Sequence, residues 1–140
     1  PCTWSSPAFY YLPLLIHTGY DSICSAGKYK SLIAKYQSVN ITLAHGRPIN
    51  EALSCLEECS NAWIDTSFMS DTDLEILIKR GFQDKIIFGT DFPITTLFDD
   101  TINSDIEHYR LLLKQKYVKF GDEQFYKWAA INPEKFLKNN

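Results

Sequence analysis

The sequence predicts an α/β fold in which four parallel βα units follow one another along the chain. Four short apolar runs, rich in leucine, isoleucine, valine and aromatic residues, alternate with segments whose apolar residues recur every three or four positions. Such alternation of strand-like and helix-like patterns is typical of parallel sheets. The near-continuous apolarity of the runs indicates strands that are buried on both faces. The predicted strands are about 12–17, 39–45, 61–68 and 85–91.

Helices are predicted between and after these strands by apolar residues at helical spacing and by local start and stop signals. Pro48 suits the first turn of the second helix, and Ser70 or Asp71 can cap the third. Gly81 can end the third helix in the left-handed conformation, and Asn132 can cap the last one. The predicted helices are 23–37, 48–59, 70–80, 102–117, 122–131 and 133–137.

Length and charge limit the classes of function. A chain of 140 residues that is 45% hydrophobic has the size and composition of one globular domain, spanning residues 1–140. The net charge of −3, without a block of like charges, argues against binding to nucleic acid or to an anionic membrane. The longest apolar run is far shorter than the roughly 20 residues of a membrane-spanning helix. We therefore expect a soluble protein that acts on a small molecule.

The cysteine pattern favours reduced thiols. Cys2, Cys24, Cys55 and Cys59 contain no C-x-x-C pair, and the chain is larger than the secreted scaffolds that need disulfides. Cys55 and Cys59 lie four positions apart on a predicted helix, where two buried thiols are a simpler interpretation than a pair of metal ligands. We expect a cytoplasmic protein.

Three of the predicted strands end in a side chain that can bind a metal ion or transfer a proton. These are His17, His45 and Asp91, together called the strand-end cluster. The C-terminal ends of parallel strands lie on one face, where two imidazoles and a carboxylate suit a hydrolytic metal with one position open for water. Any one of the three, taken alone, is better explained by a hydrogen bond to a loop amide. Their occurrence at three strand ends favours a catalytic site.

Segments along most of the chain resemble the amidohydrolase superfamily. Residues 12–19 (LPLLIHTG) resemble its strand five, 41–46 (ITLAHG) its strand six and 84–93 (DKIIFGTDFP) its strand eight, while 132–137 (NPEKFL) resemble its final helix. Residues 61–67 take the place of strand seven. The resemblance is to family 2 of the amidohydrolases, metal-dependent hydrolases with a (β/α)8 TIM barrel. Because a full barrel takes about 250 residues, it implies that this chain is the C-terminal half.

The resemblance also implies roles for the strand-end cluster. His17 corresponds to a metal ligand, Asp91 to a ligand that also accepts a proton from the bound water, and His45 to a second-metal ligand or a catalytic imidazole. The metal of the family is usually zinc, and such ligands also suit manganese or iron. The family draws an H-x-H pair from strand one, whereas the remaining histidine here, His108, lies alone on a late helix. We therefore expect an incomplete metal site within this chain.

Further polar residues near the strand ends are candidates for substrate contacts. Arg47 follows His45 and is able to clamp a substrate carboxylate through its paired donors, or to brace a loop. Asp65, Thr66 and Ser67 lie near the end of the third strand and are able to line the pocket, although Asp65 equally suits a bond to a loop amide. The sequence does not decide between these interpretations.

Three functions stay open at this point. The first is a hydrolase in which metal-activated water attacks an amide, ester or lactone carbonyl, with decarboxylation as a related reaction. The second is a nuclease-like phosphoesterase, against which the lack of a basic surface argues. The third is an inactive half-barrel that works only as an assembly. The chain starts at Pro1, which favours an interior cut, and a half-barrel exposes two strand edges. We therefore expect self-association or pairing with the missing N-terminal half.

Overall fold

The computed structural model describes residues 12–91 and 106–138, apart from the side chains of 106–109 and 112. Its four strands form one parallel sheet in which they lie side by side in chain order. This arrangement confirms the predicted α/β fold and corresponds to half of a TIM barrel. The strands are shorter than the predicted ones: β1 (Leu14–His17), β2 (Ile41–Ala44), β3 (Ala62–Asp65) and β4 (Ile86–Ile87).

The helices follow the predicted order, with two differences. The first helix begins only after a 3-10 turn at Ala26–Tyr29, and a π-helical turn at Lys127–Ile131 divides the predicted 122–131 helix. Residues 102–105 of the fourth predicted helix and the loop 93–101 lie outside the described residues. The helices are α1 (Lys30–Lys35), α2 (Ile49–Glu58), α3 (Asp71–Lys79), α4 (Ile106–Phe120), α5 (Asp122–Tyr126) and α6 (Asn132–Leu137). None of these described helices is both long and apolar enough to cross a membrane.

The signals at the ends of α3 are confirmed, whereas the predicted cap of α6 is wrong. Ser70 Oγ accepts a hydrogen bond from Asp73 N at 3.1 Å, and Gly81 has φ +84°. Asn132 is itself helical, with φ −68° and ψ −43°, because the chain passes from the π-helical turn into α6 without a break. Its side-chain amide instead donates to the carbonyl oxygens of Gln83 (2.8 Å) and Ile86 (2.7 Å).

The core lies between the sheet and the helices that pack on it. Every residue of β2 and β3 is buried, as predicted, whereas Leu14 and Leu15 of β1 are exposed because β1 is an edge strand. Cys55 and Cys59 are buried free thiols, as predicted, and burial raises the pKa of Cys55 to about 11. The fully buried side chains of the core include Ile33, Ile41, Leu43, Ile64, Leu74, Leu77, Ile86 and Trp128.

The two edges of the sheet differ. At β4 the outer side is bonded to the C-terminal helical segment, because Asn132 donates to Ile86 O and Phe88 N donates to Trp128 O at 2.9 Å. The expectation of two unpaired edges is therefore wrong at β4, where a later segment of the same chain folds back. Within the described residues, β1 is the edge that exposes apolar side chains.

Asn132→Ala tests the importance of this closure. The substitution leaves the buried carbonyl of Ile86 without its side-chain donor, so the free energy of unfolding should fall by about 1–3 kcal/mol in urea denaturation. Asn50→Ala, at an exposed position of α2, is the matched control and should change it by less than about 0.5 kcal/mol. Equal small effects of both substitutions would contradict the assignment.

Candidate active site

All three members of the strand-end cluster lie at the C-terminal edge of the sheet. His17 is the last residue of β1, His45 directly follows β2, and Asp91 lies beyond the end of β4. The parallel register pairs His17 with Ala44 and so brings the two histidines together. His45 Nε2 lies 3.1 Å from His17 Nδ1 and 3.8 Å from Asp91 Oδ2. The fold thus brings together the side chains that the sequence singled out.

The turn after β2 aims His45 at this edge. His45 and Gly46 both have left-handed backbone conformations, with φ 70° and 56°. Asp65 Oδ1 accepts a hydrogen bond from His45 N at 3.0 Å. On the other side, Thr18 Oγ1 donates to the last carbonyl of β2 at 2.6 Å and accepts from Arg47 N at 2.8 Å. Both neighbouring strands therefore hold the turn in place.

Glycine is favoured at position 46 for two reasons. Its positive φ disfavours any residue with a Cβ. In addition, a Cβ at this position would lie 2.2 Å from Ile64 Cδ1 and 3.0 Å from Met69 Cε, so the Ile64 side chain would have to move. The side chain that follows β2 is thus presented by a turn in which glycine fits best.

Asp65 and Ser67 surround the other ring nitrogen of His45. Ser67 Oγ lies 2.8 Å from His45 Nδ1 and 2.5 Å from Asp65 Oδ1. The carbonyl oxygen of Ser67 is 3.2 Å from the same Nδ1. Sequence reasoning considered both residues without assigning them a role. The available signal was their position at the end of β3 and just beyond it, on the strand that contributes no member to the strand-end cluster.

Arg47 contacts the loop that follows β3. Its Nη2 donates to the carbonyl oxygen of Phe68 at 2.8 Å, and its guanidinium lies 5.3 Å from the Tyr20 ring centre and 5.4 Å from that of Phe68. These contacts brace the loops around the site. A contact between Arg47 and a substrate carboxylate stays a prediction.

A mostly apolar cavity of about 340 Å³ adjoins the site. The Phe68 ring joins the two, because its centre is 5.4 Å from that of the His45 ring. Lys116 lies at the cavity wall, where its Nζ donates to Met69 O and to Asp71 Oδ1, both at 3.2 Å. The lysine charge is thus paired, and the cavity suits an apolar group. Its apolar wall includes Phe68, Met69, Phe88 and Leu113.

The donor types of the strand-end cluster suit a divalent metal, but their number falls short of a complete site. Imidazole and carboxylate are common zinc ligands, and the donor atoms of tetrahedral zinc lie about 3.3 Å apart. The separations of 3.1 and 3.8 Å around His45 Nε2 bracket this value. Within residues 12–91 and 106–138, however, no three His, Cys, Asp or Glu side chains are arranged to hold an ion.

The fold is that of half of an α/β barrel, and its histidines and aspartate gather at the C-terminal edge of the sheet, where α/β barrels carry their active sites. The family model described as amidohydrolase matches residues 10–138, and the chain belongs to that family. A solved structure of amidohydrolase 2 from Bifidobacterium longum subsp. infantis is similar in fold, with a TM-score of 0.62 and 18% identity. The similarity covers 92% of this chain and 50% of that one, so this chain spans half the length of that relative. No curated protein matches the sequence.

Two glycines with positive φ allow the steric requirement at the site to be measured separately from backbone strain. Gly81→Ala introduces only the left-handed strain of about 1–2 kcal/mol, since no atom of the described part of the chain lies within 4 Å of the new Cβ. Gly46→Ala adds the overlap with Ile64, so its free energy of unfolding in urea should fall by about 1–3 kcal/mol more. Equal losses for the two variants would show that the turn after β2 has room for a side chain.

Proposed function

We propose that the complete protein is a metal-dependent hydrolase in which activated water attacks the carbonyl carbon of an amide, ester or lactone. Decarboxylation at the same site is the related alternative. The observation that supports the proposal is the convergence of His17, His45 and Asp91, with His45 Nε2 at 3.1 and 3.8 Å from the other two. Membership of the amidohydrolase family supports hydrolysis as the reaction.

The metal would be held by His17 and Asp91 together with ligands that the strand-end cluster does not supply. Zinc is the first candidate, and manganese or iron also accept imidazole and carboxylate ligands. Such an ion supplies a Lewis acid that makes water acidic enough to lose a proton at neutral pH. Because two protein ligands bind a metal weakly, the proposed activity depends on the completion of this site.

Asp91 and His45 would move the proton. Asp91 Oδ2 would accept the proton from the attacking water. His45 Nε2, 3.8 Å from this oxygen, would take the proton from Asp91 and pass it to the leaving nitrogen or oxygen as the bond from that atom to the carbonyl carbon breaks. His45 is 5% exposed, so most of its ring is shielded from bulk water. In this mechanism His45 and Asp91 are the catalytic residues.

The surroundings of the site suggest the kind of substrate. We propose a small carbonyl compound whose apolar group enters the cavity beside Phe68, where Phe88 and Leu113 form the wall. Arg47, already placed next to the site by Phe68 O, would contact a carboxylate on the same compound.

The metal proposal is tested by the metal content of the purified protein after incubation with Zn²⁺ or Mn²⁺ and removal of the excess. Asp91→Asn and His17→Gln should each lower metal affinity at least 10-fold, since loss even of a residue that only supports a ligand costs about that much. His108→Gln replaces the one histidine outside the strand-end cluster and should behave as wild type. Wild-type metal content no higher than that of Asp91→Asn would show that this chain has no functional site.

The reaction class is tested separately with the metal-loaded protein. Carboxylic esters and lactones should be hydrolysed, and phosphodiesters should not. Activity on phosphodiesters alone would favour the phosphoesterase alternative, and absence of activity on all three would favour an inactive assembly.

We further propose that the exposed edge strand β1 is covered by another half-barrel: a second copy in the isolated chain, or an N-terminal half in a longer protein. Leu14 and Leu15 are exposed on this strand, and an uncovered apolar edge favours association. The 50% coverage of the solved relative is consistent with a further half.

Leu15→Glu tests self-association through β1. The wild-type chain should sediment as a dimer or larger species in analytical ultracentrifugation, and the glutamate should shift it towards monomer. Leu137→Glu is a matched control, because Leu137 is 65% exposed on α6 and Leu15 is 67% exposed. A monomeric wild type, or dissociation by both substitutions alike, would contradict the proposal.

A further inference from the structure

We propose that Ser67 and Asp65 are positioning residues that hold His45 in the tautomer protonated at Nδ1, with Nε2 left as a proton acceptor. The catalytic meaning of this tautomer rests on the proposed function. The tautomer itself follows from hydrogen bonds among described residues, so the two can be tested separately.

The single proton available to Ser67 and Asp65 decides which atom donates to His45. Ser67 Oγ has one proton, and the carboxylate of Asp65 has none. The 2.5 Å separation of Ser67 Oγ and Asp65 Oδ1 is typical of a hydroxyl that donates to a charged oxygen. The hydroxyl proton is therefore used, and Ser67 Oγ is an acceptor towards His45 Nδ1 at 2.8 Å. Nδ1 must then be the donor.

The carbonyl of Ser67 leads to the same assignment independently. It lies 3.2 Å from His45 Nδ1, and a carbonyl oxygen can only accept. In the opposite tautomer, the lone pair of Nδ1 would face this carbonyl oxygen. It would also face a lone pair of Ser67 Oγ, because the serine hydroxyl donates its proton to Asp65. Both oxygens therefore disfavour an unprotonated Nδ1.

The arrangement is fixed in place and protected from water. Asp65 Oδ1 also accepts from the backbone N of His45 and of Ser67, both at 3.0 Å. His45 is 5%, Asp65 7% and Ser67 3% exposed, so water cannot readily replace these bonds. Gly89 lies directly beside the carboxylate: a Cβ there would be 3.2 Å from Asp65 Cγ. Neither the hydroxyl nor the carboxylate is free to reorient.

The consequence for the site concerns the direction of proton transfer. A neutral imidazole with a proton on Nδ1 carries a lone pair on Nε2, the atom that lies 3.1 Å from His17 Nδ1 and 3.8 Å from Asp91 Oδ2. Nε2 is then the acceptor of the hydrogen bond from His17 Nδ1, and it can receive a proton that Asp91 has taken up once that bond opens. The opposite tautomer would present an N–H to Asp91 and could not accept. Serine proteases use a carboxylate directly to fix a histidine tautomer; here a serine hydroxyl lies between the two.

The tautomer can be observed by NMR on the metal-free protein with ¹⁵N-labelled histidine. Long-range ¹H–¹⁵N spectra distinguish a protonated ring nitrogen from an unprotonated one. The chain has three histidines, so His17→Gln and His108→Gln assign the signals of His45. We expect Nδ1 at the position of a protonated nitrogen and Nε2 at that of an unprotonated one. The reverse pattern in the wild-type protein would overturn the proposal.

Ser67→Ala tests whether the hydroxyl maintains this state. Only the longer bond to the carbonyl at position 67 remains, so His45 should change from one dominant tautomer to a mixture, with both ring signals moving towards each other. Ser67→Thr, which restores a hydroxyl, should recover the wild-type pattern. Thr42→Val is the control: among the described residues the buried Thr42 hydroxyl has no hydrogen-bond partner, and Thr42 lies on β2, the strand before His45.

An unchanged tautomer in a folded Ser67→Ala protein would show that the carbonyl alone is sufficient, and would overturn the role of Ser67. The wild-type spectrum tests the tautomer even if Ser67→Ala fails to fold. Because these spectra need neither metal nor substrate, a protein without hydrolase activity would still confirm or refute the inference.

Discussion

A single buried carboxylate oxygen, Oδ1 of Asp65, fixes the geometry at the ends of the two central strands. It accepts hydrogen bonds from the backbone N of His45, from the backbone N of Ser67 and from Ser67 Oγ. A buried charge is tolerated when it is fully hydrogen-bonded. Here the donors all come from the turns that follow β2 and β3, so satisfying the carboxylate also sets the positions of both turns. The left-handed backbone of His45 and the direction of its ring depend on this interaction.

The rest of the fold determines how firmly each member of the strand-end cluster is held. His45 extends from the buried centre of the sheet, whereas His17 ends the exposed edge strand β1. Asp91 follows β4, whose outer side is closed by Asn132 and by the carbonyl of Trp128. The described half-barrel is therefore closed by its own contacts on the β4 side, whereas β1 leaves Leu14 and Leu15 exposed. The proposed covering of β1 would act at the strand that carries His17.

Much of the fold could be predicted because its signals are periodic and local. Apolar runs of strand length gave the four parallel strands, and Ser70 and Gly81 gave the ends of α3. The cap predicted at Asn132 was wrong because an Asn-Pro pair looks the same whether the asparagine caps its own helix or, as here, bonds to the distant carbonyl of Ile86. Similarly, an apolar run does not reveal that β1 lies at an edge.

Some residues of the site could be predicted from the sequence and others could not. His17, His45 and Asp91 could be found because each follows an apolar run, and the parallel sheet brings such positions together. The roles of Asp65 and Ser67 could not, because their hydrogen bonds to His45 join the ends of two different strands. The left-handed backbone at His45 and Gly46 is held by hydrogen bonds to Asp65 and Thr18 at the ends of the neighbouring strands. Such contacts join residues from different strands and leave no local pattern.

The central claim is that the strand-end cluster is a metal-binding edge of an amidohydrolase. The most direct measurement is X-ray diffraction from crystals grown with Zn²⁺, with anomalous differences collected at the zinc absorption edge. The account predicts a peak about 2.0–2.2 Å from a nitrogen of His17 and an oxygen of Asp91. A zinc peak at other residues alone, such as the thiols of Cys55 and Cys59, or no peak at all, would contradict it.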